Sequence, residues 1–374
     1  MANVPILFYN SGMQDKDETL LPGQRLRARG VASNAQGRFE GHERLAVDDG
    51  WDIPHEERLV ATEVRVESPR SAINYVKSPD LGFDRSINPY RGCEHGCVYC
   101  YARPSHAFLG MSAGLDFETR LVARPGIDGV LRKELRAKAY QVAPIALGTN
   151  TDPYQPVEAE YGVTRSILQV LHDCDHPVTV TTRGTLVERD LDLLAPMAAK
   201  GLAAVAVSVT TLDAGLARAM EPRAPAPARR LAVIRRLAEA GIPVRVQVSP
   251  MVPGLTDHEL EAILEAAKAA GAGSATSIML RLPLEVSGLF RDWVEARFPD
   301  RAARVMARVR DLHGGQDYDP AFGTRMTGTG IWADLHRQRM EKARARLGLG
   351  RGVVALRCDL FRVPGADARQ LDLF

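Results

Sequence analysis

The chain has 374 residues, of which 45% are hydrophobic and 25% are charged. This balance is typical of globular proteins and argues against a disordered chain or a membrane protein. The formal net charge of +2 is close to neutral, so any binding to nucleic acid has to come from local basic surfaces.

The first residues contain a short apolar stretch but no basic leader followed by a cleavage site, so we expect a cytoplasmic protein with no membrane attachment. Five cysteines are an odd and small number for this length, which disfavours a disulfide framework and makes reduced thiols the expected state.

Four regions follow one another along the chain. Residues 1–80 are rich in Arg, Gly, Pro and acidic residues, with one alternating run at Leu59–Val66 that predicts a strand, and we interpret them as an N-terminal extension wrapped over the core. Residues 81–290 are predicted to form the core domain, residues 291–362 a helical C-terminal extension, and residues 363–374 a flexible tail.

In the core, short β-branched runs alternate with longer amphipathic ones, which is the pattern of repeated βα units around a parallel sheet. Most of the short runs are continuously apolar, as expected of strands that are buried on both faces. The predicted strands are Arg85–Tyr90, Pro144–Asn150, Pro177–Gly184, Ala203–Leu212, Pro243–Pro250 and Ser274–Pro283. Because six βα units are too few for a complete barrel, we predict an α/β fold with a partial (βα)6 barrel of the TIM type.

Helix boundaries have their own signals. Thr185–Glu188 and Thr256–Glu259 match the capping-box pattern and predict two helix starts. Glycines at the ends of helical patterns predict left-handed C-terminal caps. These glycines are Gly201, Gly241 and Gly271.

Three of the five cysteines lie in one short segment, RGCEHGCVYCYARPSH, as Cys93, Cys97 and Cys100. A structural zinc site has four ligands, commonly in two separate CxxC pairs, and no fourth ligand is evident beside this CxxxCxxC cluster. Three thiolates suit a cubane iron–sulfur cluster with one free iron, because clusters held entirely by protein take four cysteines. His95 and His106 flank the cysteines, although a hydrogen-bonded loop histidine is more common than a ligand.

The CxxxCxxC spacing, with Tyr99 directly before the third cysteine, resembles the radical S-adenosylmethionine (radical SAM) superfamily. The resemblance implies a [4Fe–4S] cluster bound by Cys93, Cys97 and Cys100, with S-adenosylmethionine chelating the free iron. It also implies an electron donor such as flavodoxin or ferredoxin, reductive cleavage of the cofactor to a 5′-deoxyadenosyl radical, and hydrogen abstraction from a substrate.

Polar residues at the carboxyl ends of the predicted strands are candidates for binding the cofactor, because ligands of parallel βα sheets bind at that edge. Arg183 is the best partner for a carboxylate, since a guanidinium binds it bidentately. Glu221 and Arg223 lie in a proline-rich loop after the fourth strand, where a surface ion pair is the alternative. Turn and helix-cap roles explain several of the others equally well. The predicted cofactor contacts are Tyr99, Thr149, Asn150, Asp152, Arg183, Ser208, Thr210, Arg223 and Gly254.

Three segments, RGCEHGCVYCYA, GTNTDPYQPVE and EPRAP, together resemble the branch that contains spore photoproduct lyase, over roughly Arg85–Leu284. That enzyme reverses a thymine dimer and, as we align it, uses a cysteine just after the second strand as hydrogen donor. Gly148 or Thr149 occupies this place here, so either the reaction differs or another residue donates the hydrogen. The alternative donors are Tyr99, Tyr101 and Tyr154. The remaining thiols, Cys174 and Cys358, are more typical of small buried apolar residues.

The last five residues, QLDLF, resemble the peptide with which many bacterial DNA polymerases and repair proteins bind the sliding clamp. The predicted clamp-binding residues are Gln370, Leu371, Asp372, Leu373 and Phe374. Val363–Arg369 is predicted to be a flexible linker that presents this peptide. The alternative is a terminal stretch that folds back onto its own domain.

A basic helix is predicted around His336–Arg346, and it could contact phosphates of a nucleic acid. Its basic residues are Arg337, Arg339, Lys342, Arg344 and Arg346. Because these residues do not share one face, a solvated helix is the more common explanation.

The sequence as a whole predicts a radical SAM enzyme that acts on nucleic acid, specifically on a damaged or modified base in DNA. Clamp binding would favour DNA over RNA, since the clamp encircles DNA. Two alternatives remain: radical modification of RNA or protein, and a non-catalytic metal-cluster module that is recruited to the sliding clamp.

Overall fold

The computed structural model describes residues 29–34, 37–39, 60–352 and 354–365. Its strands are β1 (Glu63–Val66), β2 (Asn74–Tyr75), β3 (Arg85–Ile87), β4 (Tyr90–Arg91), β5 (Arg120–Ala123), β6 (Ile145–Leu147), β7 (Val178–Thr182), β8 (Ala203–Ser208), β9 (Val244–Met251) and β10 (Ser274–Met279). The α-helices are α1 (Asp116–Thr119), α2 (Ile127–Leu135), α3 (Glu158–Tyr161), α4 (Val163–Asp173), α5 (Leu191–Ala199), α6 (Ala214–Met220), α7 (Pro227–Glu239), α8 (Leu260–Ala269), α9 (Glu285–Arg297), α10 (Pro299–Leu312) and α11 (Gly330–Leu347). Within the described ranges, no helix combines the length and apolarity needed to cross a membrane.

Six parallel strands form the main sheet in the order β3-β6-β7-β8-β9-β10, and β2 joins it antiparallel to β3. In the part of the chain that the structure describes, β2 and β10 are the two edges of this sheet, which is therefore open. The predicted partial (βα)6 barrel is confirmed. The predicted strand in the N-terminal extension is β1, which pairs with β5 in a separate three-stranded sheet.

The expectation of strands buried along their whole length is correct for β8 but wrong for β7 and β9. These two strands alternate between buried valines and partly exposed polar residues such as Thr179, Arg245 and Gln247. Successive side chains of a strand point to opposite faces, so the valines pack against the surrounding helices while the polar set faces the open interior. These two strands therefore contribute polar side chains to the interior of the barrel.

The two helix starts and the glycine caps are predicted correctly, but the capping-box hydrogen bonds are not formed. Thr185 and Thr256 each precede a 3-10 turn, and neither side chain caps it. Glu188 instead pairs with Arg229, and Glu259 accepts hydrogen bonds from the loop after β8. The left-handed glycines at helix ends are Gly201, Gly241 and Gly271, with φ of 75°, 75° and 103°.

The basic residues of α11 are largely neutralised by acidic partners. Arg339 and Arg346 pair with Glu261 and Glu265 of α8, at 2.5 and 2.6 Å. Arg337 and Arg344 pair with acidic residues of α11 itself. These contacts support the interpretation as a solvated helix that packs on the barrel, rather than a phosphate-binding surface.

After α11 the chain crosses the amino ends of the barrel strands. The backbone N–H of Arg357 donates to Gly201 O at 2.9 Å, and that of Arg362 donates to Cys174 O at 2.8 Å. Arg136 Nε then donates to Pro364 O at 2.7 Å. Residues 354–365 therefore close the end of the barrel opposite the cysteine loop. The predicted clamp-binding residues 370–374 lie outside the described residues, as do residues 1–28 of the extension.

Candidate active site

Cys93, Cys97 and Cys100 lie on the loop that follows β4, and the first two are buried while the third is partly exposed. Burial raises the pKa of Cys93, and the negative charges of Asp152, Cys97 and Cys100 raise it further. Burial also raises the pKa of Cys97 to about 12, although Arg183 acts in the opposite direction. The three thiols are therefore close enough to interact electrostatically, and they need a positively charged group beside them to become thiolates.

A buried ion pair fixes the conformation of the cysteine loop. Arg103 and Glu118 are both fully buried, and their side chains meet at 2.5 Å. Arg103 Nε also donates to Cys97 O at 3.0 Å. Gly30 of the N-terminal extension lies directly on the loop, because its N–H donates to Glu118 Oε2 and an added Cβ would stand 1.7 Å from Gly96 O. The extension thus forms part of the loop's support.

Asp152 joins the ends of β6 and β7 behind the cysteines. It accepts hydrogen bonds from Thr182 Oγ1 at 2.6 Å and from the backbone N–H of Arg183 at 2.8 Å, and His95 Nδ1 lies 3.4 Å from its Oδ2. Burial opposes ionisation, but His95 and these hydrogen bonds outweigh it and lower the pKa of Asp152 to about 2. A permanent negative charge therefore lies beside Cys93.

A second buried carboxylate, Glu221, gathers four side chains at the same edge. Thr210 Oγ1 donates to it at 3.0 Å, and Arg183 Nη1 lies 3.2 Å from its Oε1. The Tyr99 hydroxyl and the Arg230 guanidinium also donate to this carboxylate. Burial opposes ionisation, but Arg230 and Arg183 outweigh it and lower the pKa of Glu221 to about 2.

Arg183 connects this cluster to the cysteines. Its Nη1 lies 2.6 Å from Cys97 Sγ and 2.9 Å from the Tyr99 hydroxyl. The predicted residues Tyr99, Arg183 and Thr210 therefore lie together at the carboxyl ends of β7 and β8, next to Cys97.

The other predicted residues divide into two groups. Tyr101 donates from its hydroxyl to Thr149 O, and Arg223 pairs with Glu94 of the cysteine loop at 2.9 Å, so both lie beside the cysteines. Tyr154 and Gly254 instead contact residues outside the cysteine loop. The Tyr154 hydroxyl donates to Asp190 at 3.0 Å, and a Cβ on Gly254 would stand 3.5 Å from Val305 of α10.

Two further predicted residues, Asn150 and Ser208, occupy the expected strand ends. Asn150 is partly exposed after β6, and Ser208 is buried at the end of β8, where its carbonyl oxygen accepts from Arg230 Nη1 at 3.3 Å. Sequence reasoning missed Arg230 and Glu94. Glu94 lies inside the cysteine motif, so its position was a usable signal, whereas nothing near Arg230 distinguishes it from other helix arginines.

Comparison with known proteins identifies the family of this chain. The sequence model of the Radical SAM superfamily matches residues 87–267, from the last residue of β3 through most of α8. The chain belongs to the Radical SAM superfamily. A Mycobacterium tuberculosis relative, the uncharacterized protein Rv2578c, is 38% identical over 287 residues, which are 76% of this chain and 82% of the relative. The uncharacterized protein MJ0683 of Methanocaldococcus jannaschii is 27% identical over 203 residues, covering 54% and 71%.

Solved structures of spore photoproduct lyase share the fold. A tyrosine-to-phenylalanine mutant gives a TM-score of 0.56, and a mutant with bound AdoMet and dinucleoside spore photoproduct gives 0.55. Both are 16% identical to this chain, and each comparison covers 79% of this chain and 82% of the other. The similarity establishes a common architecture.

Radical SAM enzymes use a [4Fe–4S] cluster and S-adenosylmethionine, and the donor set of this chain fits both. Cys93, Cys97 and Cys100 are three free thiols on one loop, which is the number of ligands that a cluster with one open iron would take from the protein. Among the described residues, no three His, Cys, Asp or Glu side chains converge on a single-ion site. A four-iron cluster is larger than one ion, so its ligands do not need to converge so closely. When bound, the cluster and S-adenosylmethionine supply a carbon radical that abstracts hydrogen from substrate.

Proposed function

We propose that this radical SAM enzyme acts on damaged or modified bases in DNA, as a member of the spore photoproduct lyase-like branch. The observation that carries the proposal is the arrangement of Arg183 and Tyr99 around Cys97, held by Glu221 at the carboxyl edge of an open barrel. An open barrel of the spore photoproduct lyase type, with polar residues lining its interior, suits a bulky polar substrate. The electron for the reaction comes from a donor such as flavodoxin or ferredoxin, and a cytoplasmic location remains our prediction.

Each group of residues has a part in this proposal. Arg183 would offer a guanidinium to the carboxylate of S-adenosylmethionine, and Glu221, which pairs with the same Nη1 that lies beside Cys97, keeps that guanidinium next to the cysteines. Asp152 fixes the backbone of Arg183 and so orients the side chain. The buried position of Cys93 and Cys97 excludes water from the cluster.

The hydrogen donor is the point at which this chain departs from spore photoproduct lyase. Thr149 or Gly148 stands where we align the donor cysteine, and the Tyr101 hydroxyl contacts Thr149 O. Tyr101 therefore lies beside that place, whereas Tyr154 is buried against Asp190. Tyr101 is accordingly our first candidate for the donor.

The QLDLF segment supports DNA as the substrate. A glutamine followed by apolar anchors suits insertion into the preformed groove of the sliding clamp, and the clamp brings its partners to DNA. In the test, the chain truncated after Arg369 should lose binding to the clamp while it forms 5′-deoxyadenosine at the rate of the full chain. Clamp binding that survives truncation would contradict this assignment.

The central experiment measures 5′-deoxyadenosine formed by anaerobically reconstituted protein with reductant and S-adenosylmethionine, with and without ultraviolet-irradiated DNA. We expect the irradiated DNA to stimulate formation and unirradiated DNA to have little effect. Formation that does not respond to DNA would refute the proposed substrate while leaving the radical chemistry intact. Stimulation by RNA or by a protein instead would identify the rival substrate.

A further inference from the structure

Four large apolar side chains are exposed around the mouth of the barrel, beside the cysteine loop. Tyr101 directly follows Cys100, and Leu284 stands between β10 and α9. Phe39 belongs to the N-terminal extension, and Phe108 to the 3-10 helix that follows the cysteine loop. The exposed fractions of Phe39, Tyr101, Phe108 and Leu284 are 59%, 45%, 75% and 59%.

Direct contacts connect the segments that bear these side chains. The rings of Phe39 and Phe108 lie 5.6 Å apart, and Arg38 lies 5.5 Å above the Phe39 ring. Arg38 Nε also pairs at 2.6 Å with Glu285, the residue after Leu284. We call the set Phe39, Tyr101, Phe108 and Leu284, together with Arg38 and Arg281, the aromatic rim.

Arg281 brings an uncompensated positive charge to the aromatic rim. Its guanidinium carbon lies 4.5 Å from the centre of the Tyr101 ring. Within the described part of the chain, Arg281 forms no ion pair with a carboxylate, in contrast to Arg339 and Arg346 of α11. A free guanidinium beside an aromatic plane is suited to an anionic ligand that also carries flat rings.

Leu284 is held in an unfavourable backbone conformation. Its φ of 52° and ψ of −124° lie outside the regions that residues with a Cβ normally occupy. The side chain gains little packing in return, because more than half of it is exposed. Strained residues of this kind cluster at ligand-binding sites, where the gain comes from a partner.

We propose that the aromatic rim binds an unpaired DNA strand, with bases stacked on Phe39 and Phe108 and in contact with Leu284, and with a backbone phosphate on Arg281. This inference rests on the proposed function, since it assigns DNA to the same mouth. Aromatic planes interleaved with arginine are the chemistry of single-strand binding, because every base has a flat face and every nucleotide has a phosphate. The strand would place a base beside Tyr101 and the cysteine loop.

The test measures binding of a fluorescently labelled single-stranded DNA by anisotropy, with cluster and S-adenosylmethionine present but without reductant. Phe108→Ala and Arg281→Gln should each weaken binding about tenfold. Phe322→Ala is a matched control, because Phe322 is also 59% exposed and has Arg325 at 4.8 Å over its ring, but lies outside the rim. Arg346→Gln is the control for charge. Both controls should bind within about twofold of the parent protein.

A third variant separates binding from folding. Leu284→Gly removes the exposed side chain and relieves the positive φ, so it should raise Tm while it weakens DNA binding. A residue with a purely structural role would not produce both changes. If the parent protein binds DNA and the three rim variants bind equally well, the rim assignment is overturned and the proposed function stands. If the parent protein binds RNA or a peptide but no DNA, both fail.

Discussion

The two ends of the barrel use similar residue types in different ways. At the amino end, the Tyr140 hydroxyl donates to His176 Nε2 at 2.7 Å, while Nδ1 of the same ring donates to Pro177 O. Each of the two ring nitrogens of His176 therefore has one partner. At the carboxyl end, four side chains contact the Glu221 carboxylate, and Asp152 accepts hydrogen bonds from Thr182 Oγ1 and the backbone N–H of Arg183. This convergence of donors on two buried carboxylates agrees with the general rule that the active sites of βα barrels lie at the carboxyl ends of the strands.

Cysteines give the largest expected contrast between the two ends. Cys97→Ala should reduce 5′-deoxyadenosine formation to the level of a reaction without protein, because a cluster ligand is lost. Cys174→Ala removes an equally buried thiol at the amino end, and we expect near-parental activity with a stability loss of about 1 kcal/mol. Iron content, visible absorption and product formation are measured on both. Retained product formation in Cys97→Ala would refute the assignment of the cluster.

The barrel could be predicted from sequence because its signals are local. Each βα unit has a short β-branched run followed by an amphipathic helix. Five of the six predicted strands contain the observed one, and β9 extends one residue beyond its prediction. The capping boxes failed because Glu188 and Glu259 have tertiary partners that compete with a local cap. The alternation of buried and partly exposed residues in β7 and β9 could not be predicted without knowing that the interior of the barrel is open.

The site was only partly predictable, because its central contacts join distant parts of the chain. Tyr99 and Glu221 are 122 residues apart, and Gly30 and Glu118 are 88 apart. Motif spacing identified the cysteines, and the strand-end rule identified Asp152 and Arg183. No periodicity shows that Arg230 turns inward to Glu221, since that depends on how α7 packs on the sheet.

Carboxylates with buried partners and with exposed partners provide the next contrast. Glu221→Gln leaves Arg183 and Arg230 near a neutral amide in a buried site, so we expect a loss of about 3–5 kcal/mol in the free energy of unfolding. Asp175→Asn at the amino end removes a carboxylate whose partners, Lys200 and Arg362, are largely exposed, and we expect a loss of no more than about 1 kcal/mol.

Asparagine also tolerates the φ of 50° at position 175, which makes Asp175→Asn a fair control for the loss of charge alone. Urea denaturation followed by circular dichroism measures both variants. Equal losses would mean that the Glu221 cluster is no more important to the fold than an ion pair with exposed partners, and the contrast between the two ends would then rest on the cysteines.

The smallest expected effect concerns the amino end and pH. Burial lowers the pKa of His176 to about 4, against about 6.5 in an unfolded chain. Between these values the unfolded chain binds a proton that the folded protein excludes, so stability is present above pH 6.5 and falls as the pH drops towards 4. From pH 7 to pH 5 we expect His176 to contribute about 1–2 kcal/mol of this loss. In His176→Asn the free energy of unfolding should fall less steeply with decreasing pH. Part of the fall should persist because the pKa of His336 is also lowered to about 4. Urea denaturation at pH 7 and pH 5 measures this difference. If the free energy of unfolding falls equally in the parent and the variant, His176 is already protonated in the folded protein at pH 5.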